Sequence, residues 1–94
     1  MPDLIENTRW GQKPDVVSCT LESGNALLDL TSSNYYTLNG SAAKIWEWIG
    51  REASVAELVE RMMETYEVDR ETCVADVKAI VASLEQMDLI VPSV

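Results

Sequence analysis

One run of twelve residues, YYTLNGSAAKIW, constrains the fold more than any other segment; it begins at Tyr35. Its tyrosines and Thr37 favour a strand, which Leu38 closes. Asn39 is a good helix N-cap, because its side chain can accept hydrogen bonds from the free N–H groups of a first turn. The run therefore predicts a strand at a sheet edge that turns directly into an amphipathic helix. The apolar residues at helical spacing are Ala42, Ile45, Trp46 and Ile49.

Two further strands are predicted before this run. Residues 16–21 and 26–30 have the composition of strands, and a cluster of turn-forming residues follows each of them. Alternation in the second strand places Leu28 and Leu30 on one face. Because short turns join neighbouring strands in antiparallel order, we expect a three-stranded meander whose third strand, residues 35–38, lies at an edge.

Three helices are predicted after the sheet. The first covers about residues 40–49, and Gly50 is a suitable left-handed terminator. The second begins with the sequence SVAE at Ser54, a capping box in which the first and fourth residues hydrogen-bond each other's backbone. The third has a cap at Asp69 and runs to about Met87.

These elements predict an α+β domain with a winged helix-turn-helix-like architecture, in which a three-stranded antiparallel sheet is followed by three helices. A short strand at residues 89–91, stopped by Pro92, completes it. We place the domain at residues 15–92, which suits a chain of 94 residues. Residues 1–14 are expected to form a flexible N-terminal segment, from which Trp10 packs back onto the domain.

The third helix carries a wide apolar arc. At 100° per residue the arc spans about 140°, which is broader than one face of a small core usually requires. Two alternatives stay open: part of the arc lines a groove, or the other two helices cover all of it. The members of the arc are Met87, Ile80, Cys73, Leu84, Val77, Val81 and Val74.

The charge balance argues against two classes of partner. The chain has 16 acidic and 7 basic residues and a formal net charge of −9. Nucleic acids and anionic membrane surfaces both attract Lys and Arg, so neither is expected to bind. Winged-helix folds often bind DNA, but here the third helix carries Arg70 and Lys78 among five acidic residues. No apolar run approaches the length of a membrane span.

Histidine, a residue type shared by many catalytic and metal sites, is missing from the chain. The chain has no histidine, which removes Ser-His-Asp and Cys-His catalysis and the common zinc ligand sets. Its four glycines are too scattered to form a phosphate-binding loop. We therefore expect no enzyme activity, no cofactor and no metal site.

The two cysteines, Cys19 and Cys73, are far apart in sequence and form no CxxC pair. Two buried free thiols are the expectation. The N-terminus lacks the basic and then apolar pattern of a signal peptide. These observations predict a reducing compartment, and hence the cytoplasm.

A carrier protein is a weaker alternative for an acidic, helix-rich chain of this length. Such a protein needs an exposed serine at a helix start, in an Asp-Ser-Leu-type sequence, to hold a phosphopantetheine arm. Here Ser41 stands in the sequence NGSA, and Ser54 already serves as a cap. Strands before the helices also disagree with the helical bundle of a carrier.

Four groups of residues, in a fixed order along the chain, are shared with a known family. They are Tyr36-Thr37-Leu38-Asn39 with Ala43, Ile45 and Trp46; Ser54-Val55-Ala56-Glu57-Leu58; Tyr66-Glu67-Val68-Asp69; and Val74-Ala75-Asp76-Val77 with Leu84, Leu89 and Ile90. In this order they resemble the PqqD-like RiPP recognition elements, small domains that bind the leader peptides of ribosomally made natural products. The resemblance covers about residues 15–92. The chain is most similar to the stand-alone leader-binding proteins of lasso-peptide biosynthesis.

The resemblance implies leader binding by strand addition, without catalysis. The leader would add antiparallel beside the third strand, and its side chains would fill a cleft between that strand and the third helix. In lasso systems the family implies a Tyr and a Pro in the leader as anchors. Asp76 would either pair with a basic leader residue or remain a plain solvated acid. The implied peptide-binding residues are Tyr35, Tyr36, Thr37 and Leu38 on the strand, and Cys73, Val77, Ile80 and Leu84 on the helix.

The resemblance also implies partners. A leader-binding protein of this kind would deliver its precursor peptide to a leader peptidase, with a cyclase as a second candidate partner. The alternative is a PqqD-type peptide chaperone for a radical SAM enzyme in pyrroloquinoline quinone or related biosynthesis. Because an open sheet edge permits exchange of strands, we expect a monomer or a weak homodimer.

Overall fold

The structure, a computed structural model, describes residues 8–22 and 24–93. These residues form six strands and three helices. In chain order they are β1 (Arg9–Gln12), β2 (Val16–Leu21), β3 (Gly24–Asp29), β4 (Tyr35–Asn39), α1 (Gly40–Ile49), β5 (Ala53–Ser54), α2 (Val55–Thr65), α3 (Arg70–Gln86) and β6 (Ile90–Ser93).

The main sheet confirms the predicted three-stranded meander. Its strands lie in the order β2-β3-β4, and both pairs are antiparallel. Asn25 of β3 donates a side-chain hydrogen bond to the carbonyl of Ala43 at 3.4 Å, so α1 covers the face that also carries Leu27. Leu28 and Leu30 are exposed, because they belong to the face that the helices leave uncovered.

A second, smaller sheet was not predicted, although its strand β6 was expected at residues 89–91; the strand continues through Pro92, which was expected to stop it. Its strand order is β5-β1-β6, and Trp10 pairs with Ala53 on one side and Pro92 on the other. Trp10 is 5% exposed, so it packs back onto the domain as expected. Residues 9–12 are therefore a folded strand, although they fall within the segment expected to be flexible. Residues 1–7 of that segment lie outside the part that the structure describes.

All three predicted helices are present, and two of them carry the predicted caps. The side-chain hydroxyl of Ser54 accepts a hydrogen bond from the backbone N–H of Glu57 at 3.2 Å, and the Glu57 carboxylate accepts one from the N–H of Ser54 at 2.9 Å. Asp69 caps α3 by accepting from the N–H of Thr72 at 3.1 Å. The side chain of Asn39, predicted to cap α1, lies outside what the structure describes.

The turn after α1 differs from the prediction for Gly50. Its φ is not left-handed, and Glu52 instead has a φ of 60°. Glycine is suited to this position because a Cβ would lie 3.0 Å from the side-chain nitrogen of Gln12 and from the carbonyl of Glu47. Gln12 uses this space to donate to the carbonyl of Trp46 at 2.8 Å, which connects β1 to the end of α1.

A hydrogen-bonded turn ends α3 and joins it to the segment between β1 and β2. The N–H of Leu89 donates to the carbonyl of Leu84 at 3.0 Å and that of Asp88 to Glu85 at 2.9 Å, as in a Schellman motif. Asp88 takes the left-handed position, with a φ of 62°. Its carboxylate accepts a hydrogen bond from Lys13 Nζ at 2.6 Å, and this bond raises the pKa of Lys13.

One core joins the main sheet, the small sheet and the helices, which confirms the α+β fold class. Helix α3 contributes residues that are almost completely buried, so it supports the domain as well as bordering its surface. In the part of the chain that the structure describes, no helix is long and apolar enough to cross a membrane. The largest fully buried side chains are Trp46, Leu27, Ile45, Ile49, Leu58, Leu84, Leu89, Ile90, Val55, Val59, Val77 and Val81.

Candidate functional site

Strand β4 has an open edge, because within the described residues it pairs with β3 alone. The β3–β4 register, continued by one pair beyond Leu28 and Tyr35, places Asp29 opposite Asn34. The N–H of Asp29 donates to the carbonyl of Asn34 at 2.9 Å. Hydrogen-bonded and non-bonded pairs alternate in an antiparallel ladder, so Tyr36 and Leu38 bond to β3. Tyr35 and Thr37 turn their N–H and C=O groups to the open edge, and Asn39 turns its N–H there.

The side chains of β4 alternate between the two faces of the sheet. Tyr35 is 64% exposed, and Thr37 is also exposed on the uncovered face. Tyr36 is half-buried and Leu38 is buried on the face that packs on the core. A strand added at this edge would therefore meet solvent on one face and the helices on the other.

An apolar cleft lies where β4, α1 and α3 meet. Its volume is about 250 Å³, and Leu38 is the wall residue that β4 contributes. The cleft lies beside the same strand whose backbone is open, so one guest could use both features. The residues that line it are Leu38, Ala42, Ala79, Ile80, Ser83, Leu84 and Met87.

The apolar arc of α3 is divided between the core and this cleft. Part of the arc lines a groove and part is covered by the rest of the domain, so each of the two alternatives holds for some of its residues. Cys73 and Val77 are 2% and 0% exposed and offer a guest almost no surface in this conformation. Leu84 is buried but closes the floor of the cleft, and half-buried Ile80 forms its wall. Asp76 is exposed one turn before Ile80, outside the lining.

Four lining residues were not predicted for this site. Ala42, Ala79 and Ser83 are small, and their contribution is the space that they leave between larger neighbours. The apolar pattern of the sequence indicates large side chains, so it does not single out these three small residues. Met87 was recognised in the arc of α3 but was not assigned to the site. The Ile80 and Met87 side of the arc is the one that borders the β4 cleft.

Asp29 holds the turn that leads into β4. Its buried carboxylate accepts hydrogen bonds from the N–H groups of Thr31 at 2.9 Å and Ser32 at 3.4 Å. Lys13 Nζ lies 3.9 Å from the same carboxylate. The Thr31 hydrogen bond is the largest cause of a lowered pKa for Asp29, and the charge of Lys13 acts in the same direction.

Among residues 8–22 and 24–93, no group of three or more Cys, Asp or Glu side chains is arranged to hold a metal ion. Burial raises the pKa of the Cys73 thiol, and the negative charge of Asp76 adds to the effect. Cys19 is exposed, contrary to the expectation of two buried thiols, because it belongs to the uncovered face of β2.

A row of apolar side chains crosses the uncovered face of the main sheet. Val17, Leu28 and Tyr35 lie opposite one another on the three strands and are 49%, 37% and 64% exposed. The row ends at the open edge of β4. A strand added there would extend the row by one residue, because opposite residues in a sheet share a face.

Comparison with known proteins gives one family match and several similar folds. The family model described as PqqD, coenzyme PQQ synthesis protein D, matches residues 24–90. No curated protein matches the chain. The solved structure of TbiB1 in complex with the TbiA(beta) leader peptide is 25% identical, with a TM-score of 0.80, and covers 85% of this chain and 93% of that chain.

Two further solved structures share the fold. Lasso peptide synthetase B1, complexed with the leader peptide, is 29% identical with a TM-score of 0.78, over 88% of this chain and 98% of that chain. The solution structure of the PqqD truncation of Methylobacterium extorquens PqqCD, a stand-alone RiPP recognition element, is 18% identical with a TM-score of 0.71, over 88% of both chains. At that identity the last likeness concerns the fold alone.

Proposed function

The chain belongs to the PqqD family, as its resemblance predicted, and on this basis we propose that it is a non-catalytic adaptor that captures the leader segment of a ribosomally made precursor peptide. The observation that carries the proposal is the open edge of β4 beside an apolar cleft. Two similar structures, TbiB1 and lasso peptide synthetase B1, are complexes with leader peptides. The leader would add as a fourth, antiparallel strand beside Tyr35–Asn39.

Main-chain hydrogen bonds supply the sequence-independent part of this binding. Tyr35 and Thr37 each offer one N–H donor and one C=O acceptor at the open edge, while Asn39, which precedes α1, offers its N–H alone because its C=O accepts the first hydrogen bond of the helix. Each bond formed is worth about 0.5–1.5 kcal/mol net, because water is displaced from both partners. Backbone hydrogen bonds at this edge therefore fix the register of a peptide but bind it only weakly.

The cleft supplies affinity and selectivity. Leu38, Ile80 and Met87 offer apolar walls, while Ala79 and Ser83 leave room for a guest side chain. Burying one large apolar side chain contributes about 1.5–3 kcal/mol. An aromatic ring or a proline, such as the anchors that the family implies for lasso leaders, has the shape and apolarity that this cleft accepts.

Strand β2 also has an open edge, but its surroundings differ. The N–H of Leu30 donates to the carbonyl of Asp15 at 2.9 Å, so the same alternation turns the backbone of Ser18 outward. In the described part of the chain the side chains of β2 after Val16 are all exposed, and a cleft of about 340 Å³ beside Thr20 and Leu21 is lined by α1 and Tyr66 rather than by α3. Of the two edges, only that of β4 combines open backbone with apolar walls on α3.

The captured peptide would be delivered to a leader peptidase, with a cyclase as a further candidate partner. The exposed row of Val17, Leu28 and Tyr35 supports this step, since exposed apolar patches often mark protein contacts. Holding the precursor beside the enzyme raises its local concentration. Exposed Cys19, a free thiol, suits a reducing compartment such as the cytoplasm.

The neighbouring genes separate this function from its alternative. A protease gene and an asparagine-synthetase-like gene beside this one would support lasso-peptide biosynthesis. A radical SAM enzyme gene would instead support a PqqD-type chaperone in pyrroloquinoline quinone or related biosynthesis. The mode of peptide capture is the same in both cases.

The decisive experiment is a titration of the pure protein with the labelled leader of the precursor encoded beside it. We expect saturable binding that Thr37→Pro weakens about tenfold or more, because proline removes an outward N–H without removing a bond to β3. Thr37→Ala keeps that N–H and should bind normally. Ser18→Pro makes the equivalent change at the β2 edge and should also bind normally. Wild-type affinity of a folded Thr37→Pro variant would exclude strand addition at β4.

A further inference from the structure

Trp10 carries an unpaired hydrogen-bond donor in the interior. Its indole nitrogen is buried and has no hydrogen-bond partner, and it is the one such side-chain nitrogen or oxygen in the described part of the chain. Buried polar groups are nearly always paired, because an unpaired one loses its bond to water without compensation. The indole N–H is therefore a donor that would gain a hydrogen bond if the ring turned towards an acceptor.

A second apolar cleft lies beside this indole. Its volume is about 340 Å³, and it is lined by one residue of β1 and five of α3: Trp10, Lys78, Ala79, Val81, Ala82 and Glu85. On the helix, Val81 and Ala82 belong to the side away from Ile80 and Met87. The cleft is thus distinct from the one beside β4, which it adjoins across the exposed ridge of α3.

Ala79 lines both clefts. With Ala82 it forms an exposed ridge on which both side chains are methyl groups. An extended backbone can cross such a ridge closely, because alanine presents only a methyl group. A peptide that fills the first cleft can therefore continue into the second without leaving the surface.

The direction of the leader decides which of its parts would cross. A peptide antiparallel to β4 has its N-terminal end beside Leu38 and Asn39, at the end of the strand where the first cleft opens. Residues that precede the strand-forming segment are then the ones that reach Ala79. They would arrive at the Trp10 cleft in an extended conformation.

We propose that the Trp10 cleft is a second subsite for the leader peptide, which takes an apolar side chain from the segment before the added strand. A main-chain carbonyl of that segment accepts the indole N–H of Trp10, which turns towards it. The inference rests on the proposed function, since it assigns a further part of the same peptide. A second copy of this chain, or an apolar segment of a partner enzyme, is the competing occupant.

The test compares two alanines of α3 that differ in position alone. Ala82→Arg places a long charged side chain across the cleft, and Ala75→Arg makes the same change at an exposed alanine outside it. The probes are the leader of the precursor encoded beside this chain, whole and without the residues before its strand-forming segment. We expect Ala82→Arg to weaken binding of the whole leader about tenfold, the effect of losing one apolar anchor. Ala75→Arg should leave it unchanged, and the shortened leader should bind both variants equally.

A second readout follows the indole itself. In a nitrogen-15 NMR spectrum, assigned with Trp10→Phe, the Trp10 indole N–H signal should move downfield with the whole leader and stay in place with the shortened one. Equal binding of the whole leader by both arginine variants, or an unmoved indole signal, overturns the second subsite. Loss of a wild-type dimer in Ala82→Arg, with leader affinity intact, assigns the cleft to a second copy and also overturns it. These outcomes leave the Thr37→Pro test of the β4 edge unaffected, so the two proposals fail separately.

Discussion

The backbone N–H of Asp29 donates to the carbonyl of Asn34 at 2.9 Å, and this hydrogen bond sets the alternation of β4. It follows that Tyr36 and Leu38 face β3 with their backbone groups, while Tyr35 and Thr37 face outward. The alternation decides which residues a guest strand can use.

Amide hydrogen exchange should show this alternation directly. In the free protein we expect slow exchange at Tyr36 and Leu38, whose N–H groups bond to β3, and fast exchange at Tyr35 and Thr37. Addition of the leader should slow exchange at Thr37, which gains an acceptor. Protection of Thr37 in the free protein, with fast exchange at Tyr36, would reverse the register that we assign.

A charge in the β4 cleft should weaken leader binding. Ile80→Glu places a carboxylate among apolar walls, where an unpaired charge is costly, and we expect about a tenfold loss of affinity or more. The matched control is Val74→Glu, which changes another half-buried residue at the far side of the same apolar arc. Fluorescence anisotropy with labelled leader measures both. Equal losses in the two variants would contradict a role for this cleft.

The turn after α3 allows the cost of a left-handed residue to be measured. Asp88→Gly and Asp88→Ala both remove the hydrogen bond from Lys13, but only glycine adopts a φ of 62° freely. We expect the glycine variant to be more stable than the alanine variant by about 1–2 kcal/mol in urea unfolding. Equal stability would mean that the turn relaxes in the alanine variant.

Stability should fall in acid because three carboxyl groups have lowered pKa values. The pKa of Asp29 is lowered mainly by the N–H of Thr31, that of Glu57 by the N–H of Ser54, and that of Asp69 by hydrogen bonds from Thr72. As the pH falls through the ordinary pKa values, 3.8 for Asp and 4.5 for Glu, these carboxylates take up protons in the unfolded chain before they do so in the folded chain. The stabilisation is therefore present above those values and is lost as the pH falls through the folded pKa values.

Urea midpoints between about pH 6 and pH 3 test this dependence. Asp29→Asn should be less stable than the wild type near neutral pH and should lose less stability on acidification. At the alkaline end the sign is reversed for Lys13, whose pKa is raised: its contribution is lost as the pH rises through that value. A variant with the wild-type acid slope would show that the Asp29 carboxylate does not contribute.

Local signals explain what could be predicted from the sequence. The capping box at Ser54 and Glu57 depends on four consecutive residues, and the apolar spacing of α3 repeats within one segment. Strand β1 has no such local signal, because its partners, Ala53 and Pro92, lie far away in the chain. The sequence alone therefore predicts a flexible segment at these residues.

The candidate site was predictable in outline for a similar reason. The edge strand and the helix beside it were found, but the division of the α3 arc depends on what packs against each residue. Cys73 and Val77 are buried by tertiary contacts that periodicity does not report. Ala79 and Ser83 line the cleft with small side chains that leave space, and a pattern of large apolar residues does not reveal such space.

Within the described residues the main sheet is open at both edges, and β3 uses different residues for its hydrogen bonds to β2 and to β4. Leu27 bonds to β4, whereas Leu28 bonds to β2, so neither edge uses the backbone groups of the other. Self-association through β2 and peptide capture through β4 would therefore not compete for the same backbone groups of β3. A dimer formed at β2 would leave the β4 edge of each copy open, so it could carry two peptides.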